Sequence, residues 1–231
     1  MSHYRFIMFD LDGTLTDPGE GIINSTLFAL ARFGIQEDPL KLKRFIGPPL
    51  IDSFMRYYGF NEEKARKAVE FYRVYYREKG IFENHLYPGI SGLLKTLTER
   101  GKILVLATSK PTVFARQILE HFEIARYFEE ELVVGSYLDG RRAVKAEVIR
   151  TALLLLGGDG ENTVMVGDRK FDILGAKANA IDSIGVTFGY GEQDEIELAG
   201  PTQMAHSVEE LGELLVGNRP NIFSKWMGVR R

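Results

Sequence analysis

The sequence predicts an α/β protein with a Rossmann-like three-layer core, a central parallel sheet and an inserted helical cap domain. From residue 86 onward, short apolar runs alternate with segments of helical periodicity, which predicts parallel strands joined by right-handed crossovers. Before that point, helical patterns follow the first strand and no second strand appears. A length of 231 residues suits one core with an insertion. The expected boundaries are residues 1–16 and 86–231 for the core and 17–85 for the cap.

The first strand is predicted at residues 4–9, where a nearly continuous apolar run is typical of a strand buried on both faces. It leads to two acidic residues at alternate positions, Asp10 and Asp12, and Gly13 then breaks the strand. Two carboxylates in a poorly solvated crevice repel each other unless a cation lies between them. The end of this strand is therefore predicted to bind a metal ion.

Three helices are expected in the cap, at residues 22–33, 50–58 and 61–79. Asn61 suits the N-cap position of the third helix, whose interleaved Lys, Arg and Glu residues favour a solvated face. A basic loop at residues 41–50 contains a stiff Gly-Pro-Pro turn. Arg44 in this loop is a candidate ligand for a substrate carboxylate or a second phosphate, and a surface arginine without such a role explains it equally well.

The core resumes after a Pro-Gly turn at residues 88–89. Strands are expected at residues 103–107, 132–135, 163–166 and 181–186, and helices at 91–100, 112–121 and 145–156. In such a sheet, ligands bind outside the carboxyl ends of the strands where the strand order reverses. Asp10, Thr108 and Asp168 each follow a predicted strand, so they meet if the first strand is central.

Composition excludes several kinds of site and partner. The chain has no cysteine, which removes disulfides and thiolate chemistry, and its four histidines lack the spacing of a helical metal site. Oxygen ligands remain for a metal ion, and they favour Mg²⁺. The net charge of −3 offers no general attraction for nucleic acid. Because no apolar run reaches membrane length and no signal-peptide pattern is present, we expect a cytoplasmic protein with no membrane partner.

The acidic residues suit distinct chemical roles. Asp10 is the candidate nucleophile, since attack on phosphorus by a carboxylate splits one difficult hydrolysis into two easier steps. Asp12 would donate a proton to the leaving oxygen and later accept one from water. Asp168 would bind Mg²⁺ with Asp10 and the backbone carbonyl of Asp12, while Asp172 would bind through water or orient the other ligands. Turn capping by the first pair and helix-dipole stabilisation by the second pair are the alternatives.

Further polar residues near the strand ends are candidate phosphate ligands. Gly13 permits a tight turn that directs N–H groups at a phosphate, and Thr14 follows it. Thr108, Ser109 and Lys110 form a second polar run after a strand. A helix N-cap is the alternative role for Thr108, and simple solvation is the alternative for Lys110.

Phosphoryl transfer also needs a fixed cation against the transferring oxygens, and a lysine supplies a compact one. Lys145 opens a predicted helix and is a candidate for this role. Arg141 and Arg142 lie nearby and compete for the same role, with solvent exposure as the alternative for all three.

In chain order these residues resemble the four motifs of the haloacid dehalogenase-like phosphohydrolases, which are matched by Asp10 with Asp12-Gly13-Thr14, Thr108, Lys145, and Asp168 with Asp172. The helical insertion resembles the cap of phosphoglycolate phosphatase-like and 5′-nucleotidase-like members. The resemblance implies a central first strand flanked by the second and fourth. It also implies Mg²⁺-dependent hydrolysis of a small phosphomonoester, phosphoglycolate-like or a nucleoside 5′-monophosphate, through an aspartyl phosphate. The cap would open and close about hinges near residues 16–21 and 82–88.

Two other activities stay open on such a core. A phosphosugar mutase keeps its aspartyl phosphate until a sugar returns, and a phospho-accepting signalling module also uses a strand-end aspartate with Mg²⁺. Dehalogenases of the superfamily lack the second acid, so Asp12 argues against that chemistry. The expected partner is a small phosphorylated metabolite, bound by a monomer or homodimer. For the basic stretch at residues 217–231, docking on the core, dimer formation and disorder all stay open.

Overall fold

The centre of the protein is a six-stranded parallel sheet, seen in a computed structural model that describes residues 4–217. The strands are β1 (Phe6–Phe9), β2 (Thr16–Asp17), β3 (His85–Leu86), β4 (Ile103–Pro111), β5 (Val133–Ser136), β6 (Thr163–Gly167), β7 (Asp182–Val186) and β8 (Gln203–Ala205). The helices are α1 (Gly19–Ala31), α2 (Leu50–Tyr58), α3 (Glu62–Tyr75), α4 (Ile90–Glu99), α5 (Thr112–His121), α6 (Lys145–Leu155), α7 (Lys170–Ala178), α8 (Gln193–Ala199) and α9 (Val208–Val216). The large sheet has the order β5-β4-β1-β6-β7-β8. The predicted α/β class with a central parallel sheet is confirmed.

Strand β1 lies between β4 and β6, as the family resemblance implies. Its last residue, Phe9, aligns with Leu106 in β4 and with Val166 in β6. From β1 the chain continues to β4 and β5 on one side and then returns to β6, β7 and β8 on the other side, so the strand order reverses at β1. Polar residues that follow these strands are therefore brought to one edge of the sheet, outside its carboxyl ends.

The sheet is covered on both faces, which produces three layers. Ile7 and Phe9 of β1 pack on one face with helices α4, α5 and α9, while Met8 packs on the other face with α6 and α7. All three side chains have no exposed surface. This two-sided burial explains why β1 has a continuous apolar sequence rather than an alternating one.

The cap is helical and lies between β2 and β3. It contains α1, α2 and α3, a 3₁₀ segment at Pro39–Phe45 and a π-helical turn at Tyr76–Gly80. The two strands that connect it to the core pair with each other, Thr16 with Leu86 and Asp17 with His85. The segments that enter and leave the cap therefore run side by side, within the two stretches where the hinges are expected.

Helix α3 begins as predicted but ends earlier. The side chain of Asn61 accepts a hydrogen bond from the amide of Lys64, which confirms the predicted N-cap. The α-helix stops at Tyr75, and a π-helical turn replaces the rest of the predicted helix. This turn packs closely on α1, because a Cβ on Gly21 would lie 1.8 Å from the carbonyl oxygen of Gly80. The close contact requires glycine in α1.

Other differences from the expected elements lie in the core. Strand β4 continues past residue 107 to Pro111, and β8, α8 and α9 complete the core beyond the last predicted strand. Strand β8 has only three residues, too few for a clear alternating pattern. Between residues 4 and 217, no helix is long and apolar enough to span a lipid bilayer. Beyond residue 217, the basic C-terminal stretch lies outside the described residues.

Candidate active site

Asp10 leaves the carboxyl end of β1 and is paired with Lys145, the first residue of α6. The lysine Nζ lies 2.9 Å from Oδ1 of Asp10 and 2.8 Å from Oδ1 of Asp172, and it donates to the carbonyl of Ala107 at 3.0 Å. Burial alone would lower the pKa of Lys145, but the two carboxylates outweigh that effect and raise it. The lysine is therefore a fixed cation beside the candidate nucleophile.

The two arginines that compete for this role point elsewhere. Arg141 pairs with Asp139 at 2.8 Å on the surface, and Arg142 donates to the carbonyl of Gly135 at 2.7 Å. Among the three basic residues near the start of α6, the structure brings Lys145 to the carboxylates.

Asp10, Asp168 and Asp172 form a buried acidic triad. One carboxylate oxygen from each lies within 4.8 Å of the others. Burial, followed by the negative charge of its two neighbours, raises the pKa of Asp168 well above its usual range. When ionised, three carboxylates against the one ammonium of Lys145 leave a net charge of −2. An all-oxygen site with this charge fits a hard divalent cation, so the triad can hold a metal ion.

Asp168 is oriented from two sides. Its Oδ2 accepts a hydrogen bond from the backbone amide of Tyr190 at 2.8 Å, and its Oδ1 accepts one from the hydroxyl of Thr14 at 3.4 Å. Thr14, a candidate phosphate ligand from the sequence, thus turns its fully buried side chain toward the triad. Such supporting hydrogen bonds hold a metal ligand in a single orientation.

Glycines make room for the same carboxylate. Gly13 has a φ of +85°, and a Cβ there would lie 2.1 Å from Oδ2 of Asp168. A Cβ on Gly189 would lie 2.4 Å from the Cβ of Asp168. The amide of Gly13 itself donates to the carbonyl of Thr16 at 2.7 Å, and the direction of the turn's N–H groups toward a phosphate stays a prediction. This hydrogen bond closes the turn. The site requires glycine at position 13 because a side chain there would clash with Asp168.

Asp12 is held by a lysine that also contacts the cap. Nζ of Lys110 lies 2.7 Å from Oδ2 of Asp12 and donates to the hydroxyl of Tyr76 at 2.6 Å. Within residues 4–217, the other carboxylate oxygen of Asp12 is buried and has no hydrogen-bond partner. Burial raises the pKa of Asp12, although the charge of Lys110 opposes this shift. A raised pKa suits a carboxyl group that donates a proton near neutral pH.

Thr108 and Ser109 lie at the end of β4, beside these groups. Thr108 is buried, and its hydroxyl accepts a hydrogen bond from the amide of Lys110 at 3.2 Å. The carbonyl of Ser109 accepts a hydrogen bond from the hydroxyl of Ser136 in β5 at 2.8 Å. The hydroxyl of Thr108 therefore stabilises the turn that presents Lys110, and its role toward a phosphate stays a prediction.

The basic cap loop contains two neighbouring cations with different surroundings. The guanidinium carbon of Arg44 lies 4.1 Å from the ring centroid of Tyr57, within the cap. Lys43 lines a cleft of about 350 Å³ between cap and core. The cleft is lined by Asp17, Gly19, Glu20, Ile23, Lys43, Tyr87, Phe188, Gly189 and Tyr190. Arg44 is absent from this lining, and its role toward a substrate stays a prediction.

Arg169 joins the cap loop to the core. Its Nη1 donates to the backbone carbonyl of Ile46 at 2.6 Å, and its Nε lies 2.9 Å from Oε1 of Glu195 in α8. The residue directly follows Asp168 in the chain. The residue that binds the cap loop is therefore the direct chain neighbour of a member of the acidic triad.

The sequence analysis does not predict four residues that lie at this site. Tyr190 and Arg169 hold or adjoin the triad, and Tyr76 and Lys43 approach from the cap. Arg169 and Lys43 lie inside motifs visible in the sequence, but nothing there distinguishes them from solvated cations. The two tyrosines carry no local signal, since their partners are distant in the chain.

Comparisons with known proteins agree with this geometry. A family model described as haloacid dehalogenase-like hydrolase matches residues 7–186. The chain is 48% identical over 213 residues to a 5′-nucleotidase from Pseudomonas aeruginosa, covering 92% of this chain and 96% of that protein. It is 40% identical over 215 residues to tyrosine-protein kinase PtkA from Mycobacterium tuberculosis, covering 91% of this chain and 72% of the kinase. The crystal structure of a predicted phosphatase from Clostridium acetobutylicum superposes with a TM-score of 0.88 at 48% identity, covering 92% of this chain and 98% of that one.

Proposed function

We propose that this chain, which belongs to the haloacid dehalogenase-like hydrolase family and is a phosphatase of that family, hydrolyses a small phosphomonoester through a phosphorylated Asp10 with Mg²⁺ as its cofactor. One observation carries the proposal. Asp10 pairs with a buried lysine and lies close to two further buried carboxylates, and a second acid follows it two residues later. A nucleophile, a fixed cation, a metal site and a proton donor thus meet at one edge of the sheet.

The acidic triad supplies the cofactor site. Asp10, Asp168 and the backbone carbonyl of Asp12 would hold Mg²⁺, with Asp172 binding through water or orienting the other ligands. When bound, Mg²⁺ neutralises charge on the phosphate and offsets the repulsion among the carboxylates. Lys145 balances part of the same charge and holds Asp10 in position.

The reaction has two steps. A carboxylate oxygen of Asp10 attacks phosphorus, and the bond from phosphorus to the ester oxygen breaks while Asp12 donates a proton to that oxygen. Asp12, now ionised, accepts a proton from water as the water oxygen attacks the phosphorus of the aspartyl phosphate. Inorganic phosphate leaves and the Asp10 carboxylate is restored. Lys110, which lies beside Asp12, and Thr108 would bind the phosphoryl oxygens.

The substrate would be a small phosphorylated metabolite. A nucleoside 5′-monophosphate leads our panel of substrates because a relative at 48% identity is named a 5′-nucleotidase, and phosphoglycolate is the second compound. The cleft of about 350 Å³ lies in the size range of small-molecule pockets. We expect the protein to act in the cytoplasm, as a monomer or homodimer, without nucleic-acid or membrane partners.

Phosphate release from purified protein tests the proposal. The panel is a nucleoside 5′-monophosphate, phosphoglycolate and a hexose phosphate, each with Mg²⁺ and with EDTA. We expect one compound to be hydrolysed rapidly with Mg²⁺ and not with EDTA. Release that is equal in EDTA would contradict the proposed cofactor, and no release from any phosphomonoester would contradict the activity.

The same assay separates the alternatives. Isomerisation of the hexose phosphate without net phosphate release would indicate a mutase. A relative is named a tyrosine-protein kinase, so ATP is included as a phosphoryl donor. A stable mass increase on Asp10 after incubation with ATP or acetyl phosphate, without turnover of any ester, would favour phosphoryl transfer or signalling over hydrolysis.

A further inference from the structure

Tyr76 stands where the cap meets the core. It opens the π-helical turn after α3 and has only 2% of its surface exposed. Its ring stacks on Tyr72 of the cap, with centroids 5.4 Å apart and an interplanar angle of 17°. The edge contact with Phe114 of α5, at 5.4 Å and 72°, joins it to the core. The ring is therefore held in one orientation by both domains.

The hydroxyl of Tyr76 makes a polar contact with the core. It accepts a hydrogen bond from Nζ of Lys110 at 2.6 Å, and the same nitrogen lies 2.7 Å from Oδ2 of Asp12. The lysine side chain is nearly buried, with 6% exposed. A chain of three groups thus runs from the cap to the second acid of the site.

The geometry makes each group depend on the next. A lysine has a long flexible stem, and fixing it in one rotamer costs conformational entropy that a second anchor offsets. Asp12 needs such an anchor, since Lys110 binds one of its oxygens and the other has no hydrogen-bond partner among the described residues. The direction of the Asp12 carboxyl is therefore set by Lys110, and the position of Lys110 is set by Tyr76.

We propose that Tyr76 is a positioning residue for the reaction: from the cap, it holds Lys110 so that Asp12 faces the leaving oxygen. The inference rests on the proposed function, because it assigns Tyr76 to the proton transfer of that reaction. Tyr76 does not touch the reacting atoms. Its hydroxyl acts through Lys110, and it reaches Lys110 only when the cap is docked as in this structure.

The test uses the dependence of the rate on the leaving group. Tyr76→Phe removes the hydroxyl and keeps the ring packing. The ratio kcat/KM reports the first step, in which the leaving group departs, whereas kcat also contains the second step, in which Asp12 is the base for both substrates. With an alkyl phosphate, whose leaving alkoxide needs a proton, we expect kcat/KM to fall by about tenfold or more. With 4-nitrophenyl phosphate, whose leaving phenolate needs little protonation, we expect kcat/KM to stay within about twofold of the wild type.

A matched control is Tyr72→Phe. It removes the hydroxyl of the other ring in the same stack, which hydrogen-bonds with Ser25, whereas the Nζ of Lys110 donates its hydrogen bond to Tyr76. We expect no difference between the two substrates in this variant. An equal loss on both substrates in Tyr76→Phe, no loss on either, or the same split in Tyr72→Phe would overturn the inference.

A double-mutant cycle keeps the inference testable if Tyr76→Phe is destabilised. In a Lys110→Met background the hydroxyl has nothing to position, so Tyr76→Phe should cause no further loss of kcat/KM on the alkyl phosphate. Additive losses would overturn the inference. Failure of the proposed function is seen separately, because the wild type itself would then release no phosphate from any ester.

Discussion

The two halves of the active site are held in different ways. The core half consists of Asp10, Asp12, Lys145, Asp168 and Asp172, and the cap half of Lys43, Arg44, Ile46 and Tyr76. In the core half, Asp10, Asp168 and Asp172 come together because β1 and β6 end at the same edge of one sheet. In the cap half, the described contacts with the core include single polar groups, such as the hydroxyl of Tyr76 and the carbonyl of Ile46.

The difference separates chemistry from selection. The charges of Asp10, Lys145 and Asp172 are buried and bind one another, so the core itself fixes their arrangement. Asp12 is the exception, because its partner Lys110 is also bound by Tyr76 of the cap. Contacts of the cap half must break and form again as substrate enters and product leaves. Substitutions of Asp10 and of the metal-site residues should therefore act on kcat and metal binding, and those of Lys43 and Arg44 on KM or on stability.

The largest effect is expected at the nucleophile. Asp10→Asn should lower kcat at least about a thousandfold with Mg²⁺, because the amide cannot form an aspartyl phosphate. Asp194→Asn, an exposed acid in α8, is the matched control and should keep full activity. Turnover within tenfold of the wild type, in a variant with an unchanged circular dichroism spectrum, would contradict the assignment.

The next effect tests the space around the triad. Gly13→Ala should weaken Mg²⁺ binding about 10- to 100-fold, because the new Cβ displaces the carboxylate of Asp168. Gly140→Ala separates this clash from backbone strain, since Gly140 has a φ of +91° and nothing within 4 Å of the added Cβ. Both variants should lose stability, but Gly140→Ala should bind Mg²⁺ normally in calorimetry. Equal Mg²⁺ affinities for the two variants would show that the space beside Asp168 is unimportant for Mg²⁺ binding.

A smaller effect distinguishes two neighbouring cations of the cap. Lys43→Ala should raise KM up to about fivefold with kcat within about twofold, because Lys43 lines the cleft and an exposed charge contributes modestly. Arg44→Ala should leave KM nearly unchanged and lower stability by about 0.5–2 kcal/mol through the lost contact with Tyr57. Steady-state kinetics and thermal melts of both variants check this pair. The reverse pattern would place Arg44 at the substrate.

The smallest effect concerns the ion pair between Arg169 and Glu195. Burial would raise the pKa of Glu195, but its bonds with Arg169 and the amide of Lys170 outweigh that effect and lower the pKa. The pair therefore stabilises the fold above the unfolded pKa of about 4.3, and this contribution is lost as the pH falls through the lower folded value. Glu195→Gln should lower the free energy of unfolding by less than about 1 kcal/mol near neutral pH and leave it unchanged at strongly acidic pH.

Urea unfolding at both pH values checks this, with Glu197→Gln as the control. Glu197 lies in the same helix and accepts a hydrogen bond from Gln193 instead of an arginine. A loss for Glu195→Gln that persists in acid would show that packing, not charge, is responsible.

Much of the core half follows from the sequence. Strand β1 is a local apolar run, and the acids at its end are its immediate neighbours in the chain. The family, the α/β class and the place of β1 between its two neighbours are confirmed. Short-range patterns carry this information because periodicity and strand ends depend on adjacent residues. The N-cap at Asn61 is of the same kind, since its partner is three residues away.

The cap half depends on contacts between distant residues. Tyr76 and Lys110 are 34 positions apart, and Ile46 and Arg169 are 123 apart. Whether a tyrosine in an amphipathic helix meets a lysine depends on how the cap rests on the core, which no local pattern records. The direction of the Gly13 amide is also a matter of tertiary structure, since the turn that uses it leaves the glycine facing Asp168.

The sequence by itself determined the set of candidate catalytic residues, because these acids and the lysine adjoin strands and a helix that local patterns identify. Tertiary structure alone decided which cap residues reach that chemistry. Lys43 and Arg44 are adjacent and both basic, yet one lines the cleft and the other packs on Tyr57. Packing of the cap helices against the core separates them, and this packing is a sum of many weak long-range contacts.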